Sequence, residues 1–249
     1  MIQITNCTIS NNKQILINNI NINTQNNCIG IIGKSGSGKT LFAKMLIKLL
    51  DNNIKIKAKK LNILDFDLLS NINLLKLRSK IFYIFQDAKS ILPPLIDIGR
   101  YFLIYAKTHT LLNEKEIKKQ SFIIFEKLNL NNMDKIWHSY IYNLSSGEAM
   151  RVQFALALLC GASLLICDEL CSNLDEKNSN NINNILKELK NNTKLIIISH
   201  DLKIIKELCD EIWLFDNGNI IEQNNTNNFF TNPKSKLGKE FIEIFKDLY

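Results

Sequence analysis

Cys28-Ile-Gly-Ile-Ile32 runs straight into Gly33-Lys34-Ser35-Gly36-Ser37-Gly38-Lys39-Thr40, which runs straight into Leu41-Phe-Ala-Lys-Met-Leu-Ile-Lys-Leu-Leu50. The first segment is a short apolar run ended by glycine, the pattern of a buried strand. The last has its apolar residues at helical spacing. Between them stands the spacing G-x-x-x-x-G-K-T, a Walker A loop in the strand–loop–helix context that gives the motif meaning. Its glycines let backbone N–H groups curl around the β- and γ-phosphates of a nucleotide at a helix N-terminus, where the helix dipole favours negative charge. Lys39 adds a point charge between the phosphates, and the Thr40 hydroxyl is a ligand for Mg²⁺. The nucleotide contacts are expected from Gly33, Lys34, Ser35, Gly36, Ser37, Gly38, Lys39, Thr40 and Leu41.

A second motif completes the chemistry. Ser163-Leu-Leu-Ile-Cys-Asp-Glu169 is an apolar strand that delivers two carboxylates at its end, a Walker B segment. Asp168 is expected on the metal. Glu169 is expected on the water, where a carboxylate beside a Mg²⁺-bound triphosphate polarises it for in-line attack on the γ-phosphate. Around these motifs, alternating isoleucines at 2, 4, 15, 17, 20 and 22 predict a small antiparallel sheet of several short strands. Ile81–Phe85 predicts a strand ending at Gln86. A Lys/Glu-rich stretch with helical periodicity follows, and the chain returns to the core through a helix at 149–159. A polar helix at 181–190, a strand at 194–199 and a hairpin about Asn217-Gly218 complete it; Asn224–Asn228 reads as a loop. The fold class is α/β: a mostly parallel sheet with flanking helices, an N-terminal antiparallel β subdomain and an inserted helical subdomain. Boundaries are expected at 1–85 with 146–222 for the core, 86–145 for the helical subdomain and 223–249 for a tail helix.

Composition narrows the class further. The 249 residues are 46% hydrophobic and 22% charged, the balance of a globular chain and not of a disordered one. The formal net charge is +7, yet only three of the basic residues are arginine: Arg78, Arg100 and Arg151. Arginine reads phosphates and guanine edges bidentately, so its scarcity and the scatter of the lysines argue against nucleic acid as a partner. The chain holds 34 Asn, 39 Ile and 28 Lys but one Val, a bias without evident structural purpose that points to AT-rich coding DNA. Six cysteines form no C-x-x-C pair and imply a reducing compartment. The N-terminus lacks a signal-peptide pattern. The longest apolar stretch, Val152–Cys167, is interrupted by Gln153, Gly161 and Ser163 and is too short to span a bilayer.

Four smaller segments narrow the nucleotide chemistry. Leu144-Ser-Ser-Gly-Glu148 precedes the helix leading to Walker B, Gln86 opens the helical insert, Ser172-Asn-Leu-Asp175 follows Glu169, and His200 ends the strand in Ile-Ile-Ser-His-Asp201. In this order the set resembles the ATP-binding subunits of ATP-binding-cassette (ABC) transporters, with signature motif, Q-loop, D-loop and H-switch. Within that family, Phe85-Gln-Asp-Ala-Lys-Ser-Ile-Leu-Pro93 and the tail 231–239 are similar to importers of peptides, nickel and metal chelates. The resemblance implies ATP and Mg²⁺ as cofactors and catalysis in trans between two such domains. Ser145, Ser146, Gly147 and Glu148 would reach the triphosphate held by the partner's Walker A loop. Gln86 would sense metal or water, His200 would contact the γ-phosphate, and Asp175 would join the two sites. It also implies a second ATPase subunit, identical or different, membrane permease subunits, and an extracytoplasmic solute-binding protein acting indirectly. The location so implied is the cytoplasmic face of the membrane.

The chain departs from the family pattern in three places: the signature segment, the residues after Glu169, and the aromatic expected before the phosphate loop. Ser146 stands where a glycine is usual, at a cost on the order of 1 kcal/mol if the backbone there is left-handed. Glu148 either favours the helix N-terminus through its charge or repels the partner's triphosphate. Leu170-Cys171 replaces the common Pro-Thr, a change expected to be tolerated. No aromatic residue precedes Phe42, so the ring on which the family stacks adenine is missing. Trp137 reads as packed and His138 as a surface residue beside it, while His109 reads as solvated. A soluble ATPase of the same superfamily, or a weakly active regulatory module, are the competing readings; intact Glu169 and His200 weigh against the second.

Overall fold

Ile2, Ile4, Cys7, Ile9, Ile17, Ile20 and Ile22 are all buried, and their alternation draws the N-terminal strands into a sheet with one covered face. The computed structural model describes residues 2–85, 87–170 and 176–248, in two units: Met1–Leu74 with Lys194–Tyr249, and Leu75–Thr193. In chain order come β1 (Ile2–Ser10), β2 (Ile15–Thr24), β3 (Cys28–Gly33), α1 (Lys39–Leu46), β4 (Lys55–Lys57), β5 (Lys60–Ile63) and β6 (Phe66–Asp67). The second unit carries α2 (Leu74–Lys80), β7 (Ile81–Ile84), α3 (Ala88–Ile91), α4 (Ile98–His109), α5 (Glu114–Lys127), α6 (Met133–Trp137), α7 (Ser146–Leu159), β8 (Leu164–Asp168) and α8 (Glu176–Leu189). The chain re-enters the first unit with β9 (Lys194–Ile198), α9 (Leu202–Leu208), β10 (Glu211–Asp216), β11 (Asn219–Asn225), α10 (Thr226–Thr231) and α11 (Lys236–Leu248).

In the first unit, β1 and β2 are two long antiparallel strands in place of the several short ones expected. Their register shifts between Ile4 and Cys7 and again towards Ser10. Asn6 (φ 50°) and Asn19 (φ 46°) take left-handed backbone near these irregularities, a conformation Asn tolerates better than most side chains. β4 and β5 pair antiparallel with β1, and β6 pairs with β5. The second sheet of this unit centres on β3, buried at every residue. β3 runs parallel to β9 on one side (Cys28↔Leu195 to Ile31↔Ile198) and to β10 on the other. Burial on both faces explains why β3 and β9 read as continuous apolar runs without alternation. The β10–β11 hairpin turns at Asn217 (φ 46°) and Gly218 (φ 74°), the pairing that a tight hairpin turn requires. A side chain at 218 would also strike the Leu16 carbonyl, 2.4 Å from the Cβ position.

The tail segment differs from its reading. Asn225 caps α10 by accepting from the N–H groups of Asn227 (2.9 Å) and Asn228 (3.4 Å), so the Asn-rich stretch starts a helix. Residues 223–249 thus hold the end of β11 and two helices.

In the second unit β7 and β8 are parallel, Ile81↔Leu164 through Ile84↔Cys167. α7 is buried nearly all round, as an Ala/Leu-rich helix without a polar face must be. Phe102, Phe125 and Trp137 form an edge-to-face aromatic core with Phe122. Trp137 is buried and His138 exposed, as expected. His109 is half-buried against Tyr105 (ring centroids 4.4 Å), and burial holds its pKa below the usual imidazole value; the solvated reading is corrected. The side chains of Cys7, Cys28, Cys160, Cys167 and Cys209 are buried. Burial pushes the thiols of Cys7 and Cys160 up to about 11 and about 12, which leaves both protonated and inert at neutral pH.

Candidate active site

The phosphate loop lies in the first unit, where β3 ends and α1 begins. Gly33 (φ 147°) sits so close to the neighbouring strand that a Cβ there would lie 2.2 Å from the Phe215 carbonyl oxygen, which only glycine permits. Gly38 (φ 103°) is the N-cap of α1 and offers no side-chain cap, so the first N–H groups of the helix are left for an external acceptor. Lys39 is 5% exposed, and its Nζ donates to the carbonyls of Gly33 (2.8 Å) and Lys34 (2.9 Å). The loop is thereby wrapped around its own cation. Ser37 donates its N–H to the Lys34 carbonyl at 3.2 Å, while its buried Oγ has no partner among the described residues. Lys34, Ser35, Gly36 and Thr40 are exposed and Leu41 is half-buried. An uncapped helix start, an orphaned hydroxyl and a central lysine suit a bound polyphosphate.

His200 belongs to the same edge of the same unit. β9 stays in parallel register with β3 to its end, and the Ser199 N–H donates to the Ile31 carbonyl at 3.4 Å. His200 follows, exposed, at the carboxyl ends of these strands, where ligands of parallel α/β sheets bind.

The second unit assembles its own constellation at the end of β8. Asp168 closes the strand, and Glu169 after it has left-handed backbone (φ 52°), a strained conformation of the kind that gathers at functional turns. One carboxylate oxygen of Asp168, Oδ2, accepts from the Tyr83 hydroxyl at 2.5 Å. The other, Oδ1, is buried without a partner among the described residues. An orphaned anionic oxygen at a strand end fits a divalent cation or one of its waters. Burial first, and then the Asp168 carboxylate, push the Tyr83 phenol far above its ordinary range, so it is a neutral donor. On α7, Gln153 clamps Phe85 from both sides: its Oε1 accepts the Phe85 N–H and its Nε2 donates to the Phe85 carbonyl, each at 3.1 Å. Gln86 itself, like Asp175 and Cys171, lies outside the described residues.

The signature segment is a capping box. Ser145 is the N-cap of α7; its Oγ accepts from the Glu148 N–H (3.2 Å), and its own N–H donates to Glu148 Oε2 (2.7 Å). A hydroxyl that accepts at the cap still has its proton to give to a phosphate oxygen. Glu148 therefore serves the helix start, the first of the two roles considered for it. Ser146 is the first helical residue of α7 and is not left-handed, so the cost attached to losing a glycine there does not arise. Gly147 is buried beside it.

Tyr83 and Gln153 are the neighbours of this constellation that the sequence reading missed. Gln153 had a signal, since it is the polar residue that breaks an apolar helix. Tyr83 had none, because its partner is set by the β7–β8 register.

The family model for the ABC transporter matches residues 17–172. The chain is 30% identical over 252 residues to the methionine import ATP-binding protein MetN of Haemophilus influenzae (strain 86-028NP), covering 97% of this chain and 70% of that protein. It is 31% identical to the phosphate import ATP-binding protein PstB of Saccharolobus solfataricus, covering 93% and 90%. It is 29% identical to the metal-staphylopine import system ATP-binding protein CntD of Staphylococcus aureus, covering 94% and 89%. Among solved structures, a dimeric ATP-binding cassette in a post-hydrolysis state with ADP and Pi shares the fold, with a TM-score of 0.77 at 21% identity over 91% of this chain and 99% of that one.

Proposed function

From a chain that belongs to the ABC transporter family of ATP-binding proteins, an ATPase that works with ATP and Mg²⁺, we infer the ATP-hydrolysing subunit of an importer. The observation that carries this reading is similarity over nearly the whole chain to three import ATP-binding proteins. Bound Mg²⁺ would neutralise the β- and γ-phosphates, and the chain's own groups do the rest. Lys39 and the N–H groups at the start of α1 hold the phosphates, with Thr40 and Asp168 towards the metal. Glu169 takes the proton of the attacking water as its oxygen bonds to the γ-phosphorus and the bond to the ADP oxygen breaks. His200 and Gln86 report the state of the γ-phosphate and metal. Ser145 and the N–H groups of Ser146 and Gly147 reach the nucleotide of a second ATPase subunit across a dimer, and Asp175 helps to join the two sites.

No helix among the described residues is long and apolar enough to cross a membrane, which supports a peripheral subunit that needs permease partners, at the cytoplasmic face. The cargo is a small solute captured outside by a binding protein. Likeness to a metal-staphylopine importer supports the metal-chelate member of the peptide, nickel and chelate class. Affinity capture of the tagged chain from its own membranes tests the importer reading. The expected result is a polytopic membrane protein retained with the chain; recovery of the active ATPase wholly from the soluble fraction, without such a protein, overturns it.

A further inference from the structure

The carboxylate of Asp168 is held from one side only. Tyr83 pairs with Ile166 in the parallel β7–β8 register, and two residues further along β8 the Asp168 side chain returns to the same face. The Tyr83 hydroxyl spans that offset and saturates Oδ2 at 2.5 Å. Oδ1 is left buried without a partner among the described residues. The phenol is itself fixed: its ring is buried and packs on Phe85, with centroids 4.5 Å apart. Phe85 in turn has its N–H and carbonyl both clamped by Gln153. Rotation of the carboxylate would trade a charge-assisted hydrogen bond for an unpaired buried oxygen.

We propose that Tyr83 is a positioning residue for the metal site, holding Asp168 so that Oδ1 alone faces the cation or its bound water. This rests on the reading of Asp168 as the metal-directed carboxylate. Outer partners that orient a ligand in this way change metal affinity when they are removed, commonly by tenfold or more. A ring that merely filled space between strands would tolerate loss of its hydroxyl without any effect on the metal.

The test uses the full chain with ADP and Mn²⁺, the latter followed by electron paramagnetic resonance. Tyr83→Phe removes the hydroxyl and keeps the ring; Tyr83→Met fills the space with a flexible apolar chain and supplies a second hydroxyl-free variant. ADP binding in EDTA is the control for folding and is expected to match the parent. The expected result is a fall of about tenfold in Mn²⁺ affinity of the ADP complex for each variant. In an Asp168→Asn background, Tyr83→Phe should then add nothing. Parental Mn²⁺ affinity in variants that bind ADP normally, even with a lowered melting temperature, overturns the proposal while leaving Asp168 in its role. Parental Mn²⁺ affinity in Asp168→Asn itself overturns the reading of Asp168, and the proposal with it.

Discussion

At the tip of the β1–β2 hairpin, Asn11 Oδ1 accepts the N–H groups of Lys13 (2.9 Å) and Gln14 (2.8 Å) and closes the turn. An apolar side chain, Ile15, follows it and is 61% exposed, and Ile17 lies against Gly38 of the phosphate loop. The first aromatic of the chain, Phe42, is fully buried against Trp213 and Phe215 and offers no face to a base. Stacking on a ring is worth about 1–3 kcal/mol per base, and an aliphatic edge replaces little of that. The dissociation constants for ATP and GTP are therefore expected to lie within about tenfold of each other, with ATP held weakly. Calorimetric titration of both nucleotides checks this; micromolar ATP binding with strong rejection of GTP would contradict it. Single residues also show where sequence reading stops. Gly33, Gly38 and Lys39 were legible because the backbone of a phosphate loop tolerates few substitutes. Asn6, Asn19, Asn129, Asn132 and Asn217 all take left-handed backbone, and Asn113 and Asn225 cap helices. Part of the asparagine excess thus has structural use that composition alone hides.

Between elements, Glu211 at the start of β10 is the tie that spans the first unit. Its Oε2 accepts from Thr24 (2.6 Å) and Asn26 (2.8 Å) at the end of β2, and its Oε1 from Trp213 (2.8 Å) and Gln223 (2.6 Å). Burial alone would raise its pKa, but the four hydrogen bonds outweigh burial and hold it below the ordinary glutamate value. A carboxylate depressed in the folded state adds stability that is complete above its unfolded value, about 4.3, and is lost as pH falls through the lower folded value. Glu211→Gln is expected to cost about 1–3 kcal/mol at neutral pH, because one amide cannot accept four donors. It should also flatten the loss of stability below about pH 4.3. Urea unfolding at neutral and acid pH measures both, and an unchanged acid slope in the variant would refute the tie. None of this network could be read from spacing, since Thr24 and Glu211 are far apart in the chain. The hairpin at Asn217-Gly218 and the strands β3, β8 and β9 could be, because local turn chemistry and double-sided burial leave local signatures. Short β4–β6 and α9 carry neither a long period nor a strong turn signal.

On the scale of the whole chain, each unit carries its own set of candidate residues, and parallel strands end in both, β3 and β9 in the first and β8 in the second. Loop, lysine and His200 belong to one; Asp168, Glu169 and the Ser145 cap belong to the other. That the order of motifs along the chain announced an ATPase, while the cargo stayed open, follows from where the constraints lie. Triphosphate geometry dictates residues in this chain, and on the proposed importer reading the solute meets other subunits. The decisive measurement is phosphate release and ATP-dependent association of Glu169→Gln beside the parent chain. With Glu169 in its proposed role as acceptor of the water's proton, the substitution should leave ATP binding intact, hold two ATP-loaded chains together and abolish sustained phosphate release. Steady turnover at the parental rate in that variant would contradict the assignment of Glu169 and the trans-acting ATPase built around it.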